Sequence, residues 1–211
     1  MLHPHIPEDL KHFGKHLFAT FLGLLMALGL EQWREHHHEV KLAEQALAAV
    51  EAELAQNGKD LEERLNLIQS EEKPLDEYVQ AFSKAVRSRG KGDRAELPKR
   101  PSLKTPDLFF TCSAWETAKA LGLPRHLPPG RIQRISEVYT SMQRAIGVMD
   151  GMVAAPAVSD LFVYAKAEPA TLSQAEMERM SYALRFQQSR QSQMLRLGRE
   201  ILKEIQEARR P

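Results

Sequence analysis

A chain of 211 residues with 29 Lys and Arg against 28 Asp and Glu carries a formal net charge of +1, so no overall positive field draws it to nucleic acid. Its single cysteine, Cys112, excludes an internal disulfide, a cysteine redox pair and a multi-cysteine zinc site. With 43% hydrophobic and 27% charged residues, the composition fits one anchor plus one modest globular domain.

Residues 1–12, with His3, Pro4, His5 and Pro7, read as a mobile tail. Residues 13–33 are predicted to be a transmembrane helix. From Leu17 to Leu30 the only polar side chain is Thr20, and such a run rises about 21 Å against a hydrocarbon core of about 30 Å. Lys15 snorkelling to one headgroup layer and Trp33 seated in the other extend the reach to about 27 Å. Two other readings compete: a buried core helix, and a cleaved secretory signal with Lys11 and Lys15 before the apolar run and Ala27-Leu28-Gly29 at the cut. The anchor is preferred because the helical pattern continues past Gly29 with no turn residue. Lys11 and Lys15 balance Arg34 and Lys41, and the terminal amine tips the orientation to N-inside. The expected address is the bacterial inner membrane, with the body in the periplasm. Within the span Ala19, Gly23 and Ala27 recur every fourth residue, a ridge of small side chains that offers a packing face to a second copy or another membrane protein.

Past Trp33, the residues Val40, Leu47, Leu54, Leu61 and Ile68 recur every seventh position, with Ala43 and Val50 between them. This spacing predicts a long helix, weakened at Asn57-Gly58. Pro74 is expected to open an antiparallel return helix whose face is Leu75, Tyr78, Val79, Phe82 and Val86, so that 34–89 makes a helical hairpin. Residues 90–106 read as a basic Pro/Gly linker. No Asn-Gly or Asp-Gly pair sits between alternating segments anywhere in the chain, and only Leu161 to Tyr164 has a strand-like composition, so the remainder, 107–211, is also expected to be helical. Ser113 with Glu116 predicts a capping box for a short helix through Trp115, ended by Gly122. Ile132, Ile135, Tyr139, Met142, Ile146, Met149 and Val153 keep 3,4 spacing up to Pro156. A short piece covers 158–167. Thr171 with Gln174, or Ser173 with Glu176, caps a last helix of about 54 Å, whose apolar stripe is interrupted by Gln187, Gln188, Gln191 and Gln193; there it is expected to leave the core or meet a partner. The fold class is all-α: an N-terminal transmembrane helix continuing into a long helix, packed in an antiparallel helical bundle.

His36, His37 and His38, between Glu35 and Glu39, form the densest cluster of metal-ligating side chains. Consecutive helical residues point about 100° apart, so the three cannot converge on one ion, and the zinc-protease pattern HExxH is absent after His38-Glu39. The favoured reading is a polar collar facing the headgroups, with no metal and no cofactor. His12 and His16 are spaced i,i+4 but fall on the other side of the membrane. Arg87, Arg89, Lys91, Arg94, Lys99, Arg100 and Lys104 lack interleaved aromatics for base stacking and read as a solvated loop. Cys112 and Ser113 stand before Trp115 at a helix start; a cap explains the serine and burial the cysteine. No catalytic residue is assigned, and the chain is expected not to be an enzyme. Trp115, Tyr139 and the Met142/Met149 row are assigned to the core.

Gly23-Leu-Leu-Met-Ala-Leu-Gly-Leu-Glu-Gln-Trp33, running into the charged helix Leu42 to Asn57, resembles a family of uncharacterised bacterial single-pass membrane proteins. In that family a short tail precedes a glycine-containing apolar run closed by a polar-x-Trp signature. Ser113 to Gly122 and Tyr139 are similar to elements downstream in the same proteins. The resemblance implies a membrane-attached helical protein and supplies no catalytic residue. The expected role is therefore a membrane-anchored helical interaction or scaffold protein. The alternatives are a sensory or ligand-binding bundle signalling through a separate membrane partner, and a periplasmic metal-binding or hydrolytic protein using His36 to His38.

Overall fold

The computed structural model describes residues 8–88, 97–103, 107–164 and 167–210, with side chains described from Leu17 onward apart from Leu123. The first seven residues of the expected tail, and much of the linker, lie outside the described residues. Among the described residues the chain is all-α, as expected, with five α-helices and no strand.

Helix α1 spans Glu8–Ser88, 81 residues without a break, or about 120 Å. It overrides both interruptions expected from the sequence. At Asn57-Gly58 the backbone stays helical because neighbours fit the two residues: Asn57 is buried, its amide donates to the Thr111 carbonyl at 2.7 Å and its carbonyl accepts the Thr111 amide at 2.9 Å. A Cβ on Gly58 would stand 3.4 Å from Ile205. The expected return helix at Pro74 does not form, because Pro74 lies inside α1. Proline in a helix interior costs about 3 kcal/mol, and burial opposes it: Leu75, Tyr78, Val79 and Phe82, all at most 6% exposed, continue the apolar face directly beyond it. Burying one such side chain contributes about 1.5–3 kcal/mol, so several outweigh one proline.

The remaining helices are α2 (Ser113–Ala120), α3 (Pro129–Val153), α4 (Pro156–Tyr164) and α5 (Gln174–Ala208). Of the two caps the sequence offered for α5, Ser173 with Glu176 forms the box: the Glu176 amide donates to Ser173 Oγ and the Ser173 amide to Glu176 Oε2. Helix α5 runs antiparallel to α1, with Ile205 against Gly58, Gly198 against Leu65 and Gln188 against Asp76. Gly198 sets the closest approach, since a Cβ there would lie 2.6 Å from Leu65 Cδ2. Gly198→Ala is expected to cost about 1 kcal/mol net: overpacking of about 1–3 kcal/mol less about 1 kcal/mol of helix propensity. A urea melt reads it, and Leu65→Ala in the same chain should remove the overpacking part.

Two apolar cores lie along the α1–α5 contact. The first gathers Val50, Leu54, Leu61 and Ile68 of α1 with Trp115, Tyr139, Met142, Met194, Ile201 and Ile205. The second joins Leu75, Tyr78 and Phe82 to Leu161 of α4 and to Met177, Met180 and Leu184 of α5. Between them sits a polar layer. Gln187, Arg190 and Gln191 are buried there, Arg190 meets Asp107 at 3.0 Å, and Gln188 donates to Asp76 at 2.8 Å. The glutamine-rich part of α5 was expected to leave the core; instead it crosses from one core to the other.

Ahead of all this, every described side chain from Leu17 to His38 is exposed, and the first buried one is Ala43. The apolar run is thus not covered by the chain's own helices, contrary to the core-helix alternative. No single helix among the described residues is long and apolar enough to cross a membrane by itself. Helices α3 and α4, bent by 55°, reach that apolarity only as a pair, and Ile135, Met142 and Leu161 spend it inside the cores.

Candidate functional site

Two surfaces and one half-buried cluster contain most of the described residues singled out by the sequence. The first surface is the apolar segment itself. Ala19, Gly23 and Ala27 are exposed along one side of α1, and a Cβ built on Gly23 meets nothing within 4 Å. Trp33 is 65% exposed and stacks on His37, with ring centroids 5.9 Å apart and planes 13° from parallel. The side chain of Lys15, the other expected interface anchor, lies outside the described residues, as do those of His12 and His16.

The second surface begins one turn later. The three consecutive histidines diverge as helical geometry requires: His37 goes to Trp33, while His38 lines a shallow cleft with Glu31, Arg34 and Glu35. His36 faces a different element. After α2 the chain takes a left-handed residue at Gly122 (φ 66°) and a 3-10 turn, Leu123–His126, which packs against α1. This brings His126, only 11% exposed, against Glu39, with Nε2 3.5 Å from Glu39 Oε2. The His36 and His126 rings are 6.2 Å apart. One ligand atom from each of His36, Glu39 and His126 falls within 4.8 Å of the others. Arg125 reaches into the same place, its Nη2 3.2 Å from Glu39 Oε1 and its Nε donating to His126 Nε2 at 3.0 Å. His36 and Glu39 share a face by i,i+3 spacing, which the sequence displays. His126 could not be paired with them, because only the turn set by Gly122 brings it there.

The half-buried cluster centres on Glu53. Its Oε1 accepts from the Tyr139 hydroxyl at 2.6 Å, and its Oε2 accepts from Ser113 Oγ and the Ala114 amide, both at 2.9 Å. The expected capping box of Ser113 and Glu116 is therefore absent: Cys112 occupies the N-cap without a side-chain bond, and a carboxylate from α1 takes the serine's place. Tyr139 stacks on Trp115 with centroids 5.6 Å apart. Burial, then the Glu53 and Glu116 charges, push the Cys112 thiol above its ordinary range. It stays protonated at neutral pH, the opposite of an activated nucleophile.

No protein-family model, curated protein or solved structure matches this chain. Its chemistry therefore has to be read from its own side chains. Of the expected solvated basic loop, Arg89, Lys91 and Arg94 as well as Lys104 lie outside the described residues, and Arg100 is committed internally to the Tyr78 hydroxyl at 3.3 Å and the Ala167 carbonyl at 2.8 Å.

Proposed function

We propose that this chain is a membrane-anchored helical interaction or scaffold protein, held by the 13–33 segment with its N-terminus inside and its body on the outer face of the inner membrane. The carrying observation is that an apolar helical run, exposed along its whole described length, continues without a break into a helix whose later turns are packed. Soluble surfaces rarely expose contiguous apolar patches of this kind, and a bilayer is the cover that suits a cylinder exposed on all sides. The fourteen-residue run is short for a span, and interfacial contacts from Lys15 and Trp33 supply the difference. The Ala19/Gly23/Ala27 ridge is the proposed contact for a second copy or a membrane partner, which would also serve a sensory bundle whose output lies in another protein.

Cells expressing the full chain should retain it in the membrane pellet after alkaline carbonate extraction, with the body digested when spheroplasts are treated with protease. Replacing Leu24 and Leu25 by arginine, at about 2.5–3.5 kcal/mol each, should release it. Full-length chain in the soluble fraction overturns the anchor, and a shortened soluble form assigns the segment to a cleaved signal.

A further inference from the structure

We infer that His36, Glu39 and His126 form a divalent transition-metal site in which the ion exchanges with the guanidinium of Arg125. Three observations converge on it. The donor set of two imidazoles and a carboxylate is one that binds zinc while leaving a coordination position open. The donors come from two elements, one turn of α1 and the 3-10 turn Leu123–His126, so the site exists only in the folded chain. And the point where they meet already attracts a cation: Arg125 bridges Glu39 Oε1 and His126 Nε2.

The last contact also shows which atom of His126 faces the site. Arg125 Nε donates to His126 Nε2, so in this arrangement that nitrogen faces a donor, as it would face a metal. His126 Nε2 and Glu39 Oε2 stand 3.5 Å apart, and one positive charge contacts both residues. The guanidinium supplies it with planar, fixed donors, whereas an ion with bonds of about 2.0–2.2 Å can draw in a third ligand, His36. The contraction from 4.8 Å falls on the exposed His36 side chain and on Glu39, 35% exposed, while His126 is held by its surroundings. Expelled, Arg125 extends into water, where an arginine loses little. The ion would clasp the segment after α2 onto α1 immediately beyond Trp33, with its fourth position free for water or an external anion. This site does not depend on the membrane reading, and either can fail alone.

The test is titration of the chelator-treated full chain in detergent with zinc chloride, followed by calorimetry, with cobalt(II) absorption as a spectroscopic readout of few-coordinate nitrogen and oxygen ligation. One ion per chain is expected. His126→Ala and Glu39→Gln should each weaken binding by about tenfold or more, with helicity unchanged, while His37→Ala and His38→Ala leave it intact. Arg125→Ala should tighten it, because the competing cation is gone. Absence of stoichiometric binding overturns the site, as does binding that survives His126→Ala and is lost with His37 and His38. Weaker binding by Arg125→Ala overturns the exchange.

Discussion

Glu53→Ala is expected to destabilise the folded body by about 2–4 kcal/mol, read as a fall in the urea midpoint of the detergent-solubilised chain. One carboxylate satisfies three donors from two elements, Tyr139 of α3 and Ser113 and Ala114 at the start of α2. A hydrogen bond to a charged group contributes about 1.5–3 kcal/mol, and losing a cap costs about 1 kcal/mol. The three losses are not additive, because all are released together by one relaxation. The Tyr139 hydroxyl suffers most: the residue is 1% exposed, and Glu53 is its hydrogen-bond acceptor at 2.6 Å. Glu53→Gln keeps the shape and one acceptor oxygen and should cost about half as much. Hydrogen exchange should show α2 loosening before the α1–α5 contact does. The pH dependence carries a sign as well. Burial, and then the bond to Glu53, hold the Tyr139 phenol above its ordinary range. The folded chain thus keeps this proton more tightly than the unfolded one. The associated stability is present below about pH 10, the ordinary tyrosine value, and declines as the pH rises past it. Glu53→Ala should weaken that alkaline decline, leaving the part due to burial.

The second large effect lies in the polar layer and takes opposite signs at the two ends of one ion pair. Arg190 is 7% exposed at its side chain and Asp107 47%, and Arg190 Nε is buried without a hydrogen-bond partner. Asp107→Asn leaves a buried guanidinium uncompensated. Fully buried pairs broken in this way cost about 3–5 kcal/mol, and the half-solvated aspartate reduces the expected loss to about 2 kcal/mol. Arg190→Met removes the buried charge and the orphaned Nε together, and fills similar volume with apolar atoms. It should be neutral or stabilising by about 1 kcal/mol. In the Arg190→Met chain, Asp107→Asn should then cost almost nothing, and a double-mutant cycle of urea midpoints isolates the coupling. An equal loss from both single substitutions would mean that the pair is a net stabiliser.

Much of the helical architecture was legible because it rests on periodicity. The seven-residue recurrence of Leu54, Leu61 and Ile68 and the 3,4 spacing of Ile135, Tyr139 and Met142 name side chains that are all buried. Local punctuation was a poorer guide. Pro74 and Asn57-Gly58 signal breaks when read from their neighbours in sequence, yet α1 passes through both because contacts with distant residues favour the helix. Ser113 has the spacing of a capping box, but Glu53, sixty residues earlier, is the better-placed acceptor. Polarity misled in the same way at Gln187 and Gln191, which are buried rather than solvated, Gln187 donating to the Leu103 carbonyl. For the candidate sites, the exposed small-residue ridge and Trp33 could be found by spacing alone. The partner of His36 could not: His126 is an isolated histidine in a proline-rich stretch, and no local pattern links it to α1.

The absence of a hinge in α1 has a mechanical consequence. One continuous helix of about 120 Å contributes both the uncovered apolar turns and one wall of each core, with no loop between them. A twist applied to the first turns therefore reaches the packed part through helical backbone alone, with no loop to absorb it.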